Sequence, residues 1–262
     1  MGHEMSDIYD EEEPYPSRSA AIRTVALLLI VALALAYAGA QLVTVLRQDD
    51  AITTEEALAD PRGFKFLSID PQTKGPVRYN PCEPIAYVVN PANAPAGGIK
   101  DLHHAVELTA AVTGMSFTYE GETDEPVGRD RSAFQPDRYG QRWAPVLIGW
   151  IPHDSAIFEV DDVGVAGSAI VRNSAGQLVY VSGSIAMNGA EHLDNGFAPG
   201  KTWGKVALHE LGHLVGLGHV PDPAQVMHAS LVSSPAVWGT GDEAGLRQLG
   251  RLAGCLEVPP LP

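Results

Sequence analysis

Cysteine and basic side chains are scarce in this 262-residue sequence. It has 2 cysteines, and its 17 lysines and arginines are outnumbered by 32 aspartates and glutamates, giving a formal net charge of −15. Two cysteines are too few for a cysteine-rich zinc module or a small domain held by several disulfides. The acidic balance argues against nucleic acid or an anionic lipid surface as the main partner, because both bind basic patches. An apolar fraction of 45% nevertheless indicates a folded core.

The N-terminal part of the chain differs in composition from the rest. Residues 1–19 are rich in acids and are predicted to be a disordered acidic cytoplasmic tail. Residues 20–47 contain a long uncharged apolar run, which predicts a transmembrane helix through which the protein contacts the membrane. A cleaved signal segment ending near Ala38 is the alternative, and both interpretations place residues 48–262 outside the cytoplasm. Residues 48–78 are predicted to be a stalk, because prolines interrupt them.

Residues 79–258 have the pattern of an α+β domain, followed by a short tail at 259–262. Strand and helix patterns are both present, with helices in the middle and at the end. The predicted strands are Pro84–Asn90, Ser116–Glu120, Pro145–Trp150 and a hairpin of Gly164–Val171 with Gln177–Ile185. The predicted helices are Ile99–Thr113, Trp203–Leu217 and Asp242–Leu252, with Asp242 as the cap of the last one. Between them, Gly121–Arg142 is predicted to be a surface loop.

The most informative segment is His-Glu-Leu-Gly-His-Leu-Val-Gly-Leu-Gly-His, which begins at His209. On a helix, His209 and His213 lie one turn apart on one face, so both imidazoles can bind one metal ion. Gly216 allows the chain to reverse after the helix, which brings His219 within reach as a third ligand. Glu210 is rotated about 100° around the helix axis, so it cannot readily join them but can hold water on the metal. Three histidines with an open fourth position are typical of a catalytic zinc site.

This motif resembles the extended zinc signature HExxHxxGxxH of the metzincin metallopeptidases, and it is most similar to bacterial matrixin-like peptidases. The resemblance covers about residues 79–255. Met227 follows His219 at the short spacing typical of matrixins, and Asp242–Leu246 is similar to the start of the matrixin C-terminal helix. The resemblance implies a twisted mixed β-sheet with an active-site helix and a C-terminal helix. It also implies that Met227 forms a hydrophobic floor beneath the metal.

The implied function is a zinc-dependent endopeptidase that acts on peptide or protein substrates outside the cytoplasm. The three histidines would bind one catalytic Zn2+, and Glu210 would be the general base for the metal-activated water. Substrate would pair with the strand Val165–Val171, and Ala229–Thr240 would wall the specificity pocket. His228 replaces the tyrosine that usually follows the methionine of matrixins, and it is either a hydrogen-bond donor to the reacting group or a surface residue. The alternative function is a catalytically silent zinc-binding interaction module on the cell surface.

The other candidate sites depend on weaker patterns. Cys82 and Cys255 are predicted to form a disulfide in an oxidising compartment, and the alternative is that Cys82 is a latency cysteine that binds zinc. Asp161 and Asp162, before a glycine, are candidate ligands for a structural Ca2+, although acids in a turn are more often simply solvated. A second, structural zinc site would use two loop histidines, His153 and His192. The sequence does not specify an oligomeric state.

Overall fold

A computed structural model of the chain describes residues 63–152, 157–159, 162–231 and 236–262. The predicted tail at 1–19 and the predicted transmembrane or signal segment at 20–47 lie outside the described residues, as does the predicted stalk up to residue 62. Within the described ranges, none of the helices combines the length and the apolar character that crossing a membrane requires. The membrane anchor therefore remains a prediction from the sequence.

The centre of the domain is a mixed β-sheet. In chain order the strands are β1 Lys65–Phe66, β2 Ile85–Asn90, β3 Phe117–Glu122, β4 Val146–Ile151, β5 Gly164–Arg172, β6 Leu178–Asn188 and β7 Leu217–Gly218. Five of them form one sheet in the order β3-β2-β4-β6-β5. β2, β3, β4 and β6 run parallel to one another, whereas β5 is antiparallel to β6. This order places β5, the partly buried first strand of the hairpin with β6, at one edge of the sheet.

Among the described residues, four α-helices accompany the sheet: α1 Gly98–Thr113, α2 Pro136–Tyr139, α3 Trp203–Val215 and α4 Thr240–Leu249. α1 and α3 pack against each other, and their apolar residues join those of the sheet in one core. Leu102 of α1 and both Leu208 and Leu211 of α3 are fully buried. Burying a side chain of this kind contributes roughly 1.5–3 kcal/mol, so the core holds α3 firmly in place. The predicted α+β class is confirmed, with a mixed sheet, a helix that contains His209 and His213, and a helix near the C-terminus.

The segment that was predicted to be the end of a stalk is part of the folded domain. β1 pairs antiparallel with β7, and the N–H of Leu67 donates to the carbonyl of Gly216 at 2.8 Å. Phe64 and Val77 are 3% and 0% exposed. The stalk prediction for 63–78 is therefore wrong, because these few apolar side chains between prolines pack into the core.

The predicted C-terminal tail also contacts the domain. The carbonyl of Pro259 accepts a hydrogen bond from the indole N–H of Trp143 at 3.2 Å.

The predicted surface loop Gly121–Arg142 also contains ordered structure. It includes the end of β3, the short helix α2 and an ion pair between Arg131 and Glu125, whose side chains are 3% and 8% exposed. Arg131 also donates to the hydroxyl of Ser182 and to the carbonyls of Pro145 and Gly183. A buried charge pair persists when its remaining donors and acceptors are satisfied, as they are here. Polar composition alone was therefore a poor guide to exposure in this segment.

The last helix begins two residues earlier than predicted and is capped by a different residue. Its N-cap is Gly239, and Asp242 lies at the third helical position, from where its carboxylate accepts the N–H of Gly239 at 3.1 Å. The helix ends at Leu249, and a 3₁₀ turn, Arg251–Ala253, follows it. The prediction of Asp242 as N-cap is wrong, since an acid at the third position can bind back to the cap.

Cys82 and Cys255 form a disulfide across a sequence separation of 173 residues. The bond joins the residues just before β2 to the residues just after α4, so it closes almost the whole domain into one loop. Because Cys82 is bonded to Cys255, its thiol is not a ligand of the candidate metal site. The bond also favours an oxidising compartment, in which disulfides form and persist.

Removing this bond is expected to destabilise the domain. The double variant Cys82→Ala/Cys255→Ala should lower the free energy of unfolding by about 2–5 kcal/mol, because the unfolded chain regains the freedom that a long closed loop removes. Urea unfolding of the oxidised protein and of the double variant measures the difference. Equal unfolding midpoints would show that the bond does not stabilise the fold.

Candidate metal centre

α3 has defined ends that position the histidines. It begins after Thr202, whose hydroxyl accepts the N–H of Lys205 at 3.3 Å, as expected of an N-cap. It ends before Gly216, which has φ of 122° and donates its N–H to the carbonyls of Gly212 and His213. A side chain rarely adopts this φ, so glycine is needed where the chain turns away from the helix. The following residues pair with β1, and this pairing directs His219 back toward α3.

The three histidines of the motif converge. The Nε2 atom of His219 lies 3.1 Å from Nε2 of His209 and 3.0 Å from Nε2 of His213. The Nδ1 atom of His209 lies 2.8 Å from the carbonyl oxygen of Val226, and Nδ1 of His213 lies 2.8 Å from that of Leu217. Since a carbonyl only accepts, both Nδ1 atoms carry the hydrogen. Both Nε2 lone pairs therefore point toward His219.

This arrangement suits a metal ion better than three uncoordinated imidazoles. Nε2 of His219 can carry one hydrogen, which it can donate to only one of the two neighbouring nitrogens. Without a metal, at least one pair of nitrogen lone pairs would therefore stay in close, repulsive contact. A cation between them removes the repulsion. In a tetrahedral site with Zn–N distances of about 2.0–2.1 Å, the nitrogens lie roughly 3.3 Å apart, close to the observed spacings. Burial lowers the pKa of His209 to about 3 and that of His213 well below its usual value, which keeps both rings neutral as ligands must be.

Glu210 lies beside the histidines and points toward the edge strand. Its side chain is buried, with the residue only 4% exposed, and among the described residues its Oε2 atom has no hydrogen-bond partner. Burial, with a smaller contribution from Asp162, raises its pKa to about 8. Gly164 at the start of β5 makes room for it, because a Cβ there would lie 2.5 Å from Oε1 of Glu210. The sequence alone does not indicate that Gly164 belongs to this site.

Met227 packs beneath the histidine-bearing turn of α3. Gly212, between His209 and His213, has no side chain, and a Cβ at this position would overlap the sulfur of Met227. Met227 is 1% exposed. Met227 therefore packs against the helix turn that carries His209 and His213, and Gly212 is the residue that permits the close approach. A floor beneath a bound metal stays a prediction. The role of Gly212 was missed, since nothing in a single sequence shows which distant side chain meets a helical glycine.

Asp242 holds the segment that supports His209. Its carboxylate accepts the N–H groups of Val226 at 2.6 Å and Met227 at 3.4 Å, in addition to that of Gly239. Val226 in turn accepts the Nδ1 hydrogen of His209. Gln225 supports the same helix end, because its Oε1 accepts the N–H groups of Gly241 and Asp242 at 3.0 Å. Asp242 therefore positions the imidazole of His209 indirectly, through the peptide unit that joins Val226 to Met227.

The variant Asp242→Ala is expected to weaken zinc binding by about 10- to 100-fold, the usual effect of losing a partner that orients a metal ligand. It should also lower the free energy of unfolding by about 2–4 kcal/mol, because buried N–H groups lose their acceptor. Competition with a chromophoric chelator measures the affinity, and Asp242→Asn, which keeps one acceptor oxygen, is the matched control. A variant that loses stability but binds zinc as tightly as the original would contradict the orienting role.

The histidines and Glu210 open into a cleft of about 720 Å³. One side of it is formed by Gly164, Val165 and Ala166 at the start of the edge strand β5. The segment after Met227 forms another side, and it contributes His228, Ala229, Ser230 and Leu231. The predicted substrate strand and part of the predicted pocket wall are therefore both adjacent to the histidines.

The remaining sequence candidates lie apart from this centre or at its rim. His228 lines the cleft and is partly exposed, with its Nδ1 atom close to both the N–H and the carbonyl of Ser230. The Oδ2 atom of Asp162 accepts the N–H of Glu159 at 2.7 Å, and Asp161 lies outside the described residues. His192 is exposed, and His153 also lies outside. Within the described ranges, the three motif histidines form the one group of at least three histidine, cysteine or acidic residues suited to a metal.

Comparison with known proteins supports the interpretation of this centre. The family model of matrixin matches residues 154–249, which include β5, β6, α3, the three histidines and all of α4. No curated protein matches the chain significantly. The resemblance to metzincin zinc metallopeptidases is thereby confirmed, and residues 154–249 form a matrixin-like region.

Proposed function

We propose that this chain is a zinc-dependent endopeptidase in which Glu210 is the general base. The observation that supports this most strongly is the convergence of three imidazole nitrogens beside a buried carboxylate in one cleft. The matrixin match supports zinc peptidase activity in general. Glu210 adds a carboxylate that can act as a base in hydrolysis. A purely structural zinc site does not need such a group.

The residues of the cleft have separate tasks in this proposal. His209, His213 and His219 would hold the zinc, and the bound ion would supply Lewis-acid activation of a water molecule and of the scissile carbonyl. Glu210 accepts the proton of the attacking water at a carboxylate oxygen and passes it to the leaving amine. The carbonyls of Val226 and Leu217 hold the first two imidazoles in the required orientation. No side chain becomes covalently attached to the substrate.

The edge strand β5 is the proposed binding site for the substrate backbone. In the described sheet β5 pairs with β6 on one side, and its first residues line the cleft on the other. An extended peptide can add to such an edge through main-chain hydrogen bonds, which do not depend on its sequence. Because the start of β5 lies against Glu210, a peptide bound there has its backbone next to the proposed base.

We also propose that the domain acts outside the cytoplasm. The disulfide supports an oxidising compartment. The apolar run within residues 20–47 supports either a single-pass anchor with a cytoplasmic N-terminus or a cleaved signal. Protease protection of intact cells, read with an antibody to the C-terminal domain, would distinguish an exposed domain from a cytoplasmic one.

A quenched-fluorescence peptide library tests the proposed activity. The purified chain should cleave internal peptide bonds, lose this activity when a chelator removes the metal, and regain it when stoichiometric zinc is added back. Stoichiometric zinc binding without cleavage of any library peptide would favour the alternative of a silent interaction module. Cleavage that persists in the metal-free protein would exclude both interpretations.

A further inference from the structure

One apolar side chain in the wall of the cleft comes from the start of the folded domain. Leu67 directly follows β1, in the segment for which the sequence predicted a stalk, and it lines the cleft that contains the histidines and Glu210. It is partly exposed. Ala166, Leu193 and Leu231 line the same cleft and pack against the core, whereas the described core does not include Leu67. Neither the described core nor the proposed hydrolytic steps use this side chain.

Main-chain pairing fixes the position of Leu67 relative to the metal ligands. Its N–H donates to the carbonyl of Gly216 at 2.8 Å, which continues the pairing of β1 with β7. Gly216 comes three residues after His213 and three before His219. Cross-strand neighbours have Cα atoms about 4.5–5.5 Å apart and three helical residues rise about 4.5 Å, so the Cα atoms of Leu67 and His213 lie roughly 10 Å apart. An extended peptide covers this distance in about two or three residues.

The edge strand β5 runs toward the same end of α3. Gly164 at its start lies against Glu210, and four residues later the hydroxyl of Ser168 donates to the carbonyl of Leu214. The carbonyl that accepts the N–H of Leu67 belongs to the second residue after Leu214. A peptide paired with β5 therefore extends from the proposed base toward Leu67. Antiparallel pairs outnumber parallel ones by about two- to threefold, and antiparallel pairing directs the N-terminal side of the substrate to Leu67.

The charged residues of the cleft belong to segments at its other end. Apart from Glu210 and the histidines, those among the described residues are Glu159, Asp162, Glu191, Lys201 and Lys205. The first two precede β5, and the third follows the end of β6, which pairs with the start of β5. The two lysines lie where α3 begins.

The chemistry of the Leu67 side chain favours an apolar partner. An apolar substrate side chain beside it removes both surfaces from water, which is favourable in proportion to the area buried. A polar side chain at the same place loses hydration and gains no hydrogen bond from the leucine. The Leu67 end of the cleft therefore discriminates by polarity.

We propose that Leu67 forms an apolar subsite that selects substrates with a leucine-like side chain at the second or third position before the scissile bond. This inference rests on the proposed peptidase function and specifies its substrate class. Leu67 is a specificity-determining residue here: it contacts the substrate side chain and takes no part in the hydrolytic proton transfers.

Matched peptides test the subsite. Peptides that carry either leucine or the similarly sized asparagine are compared at each of the two positions, and mass spectrometry of the products locates the scissile bond. At one of them kcat/KM should be about 10-fold higher for leucine, the lower end of the discrimination that one apolar group provides in a pocket. Leu67→Asn should bring this ratio to within about twofold of one, because the wall then offers hydrogen bonds to the polar peptide. Leu67→Met should keep most of the ratio because it remains apolar.

Leu252→Asn is the matched control, since Leu252 is 84% exposed in the turn after α4 and its loss should leave the ratio unchanged. The comparison on the original protein needs no variant, so it decides the preference even if Leu67→Asn fails to fold. Equal zinc-dependent cleavage of the leucine and asparagine peptides at both positions would overturn this inference and leave the peptidase function intact. An undiminished leucine preference in Leu67→Asn would also overturn it, because the selection would then belong to another residue. Absence of cleavage of every peptide would instead mean that the peptidase function itself is wrong.

Discussion

Replacing Glu210 with glutamine is expected to lower kcat/KM on peptide substrates by about 10²- to 10⁴-fold while zinc remains bound at full stoichiometry. The amide is the same size as the carboxylate but cannot accept the proton of the attacking water, and general-base catalysis contributes an effect of this size. Zinc should remain because the converging ligand atoms belong to the three histidines. Steady-state kinetics and elemental analysis on the same sample measure both quantities.

Glu191→Gln is the matched control, because Glu191 is another carboxylate that lines the cleft. It should keep kcat/KM within about threefold of the original value, as expected for a polar group that takes no part in proton transfer. Glu210→Gln with normal activity would show that another group is the base. Loss of zinc from Glu210→Gln would show that the side chain maintains the site rather than the reaction.

Replacing His219 with alanine is expected to remove both zinc and activity. His219 is the residue whose Nε2 atom lies close to both other ligand nitrogens, so its loss leaves two ligands on one helix face. Two imidazoles bind zinc far more weakly than a site with three protein ligands. The loss of a group that only orients a ligand weakens zinc binding by up to about 100-fold, so the loss of a ligand itself should weaken it by more than about 100-fold. Chelator competition measures the affinity, and the peptide assay with excess zinc measures the remaining activity.

His192→Ala is the control for this variant, since His192 is an exposed histidine outside the cluster. It should bind zinc with unchanged stoichiometry, and a decrease from two zinc ions to one would instead reveal a second site. Retention of tight zinc binding by His219→Ala would indicate that a different residue, such as a distant glutamate, is the third ligand. Asn or Gln scanning of the acids that line the cleft would then identify it.

The metal centre was predictable from the sequence because its main parts are local. His209 and His213 share a helix face by their spacing alone, and Gly216 marks the end of that helix in both sequence and structure. The sequence also predicted α1 and the hairpin of β5 with β6, because each has a clear periodicity of apolar residues and a recognisable end. These features depend on residues within one or two turns of each other, so a single sequence contains the information needed to infer them.

The parts that could not be predicted depend on contacts between distant segments. Gly164 approaches Glu210 across 46 positions of the chain, and Asp242 binds the N–H groups of Val226 and Met227 from the following helix. The burial of Arg131 against Glu125 likewise contradicts the polar composition around it. In each case the local sequence is compatible with a turn, a helix cap or a solvated loop. The role of the residue becomes visible only when its distant partner is known.

The pairing of β1 with β7 has a consequence for proteolytic release of the domain from the proposed membrane anchor. Residues 65 and 66 are hydrogen-bonded to the two residues immediately before His219. A proteolytic cut upstream of Gly63 would leave β1 in place and would be expected to preserve the proposed peptidase activity. A cut a few residues downstream would detach β1, which pairs with the residues immediately before His219, and would be expected to abolish the proposed activity of the released fragment.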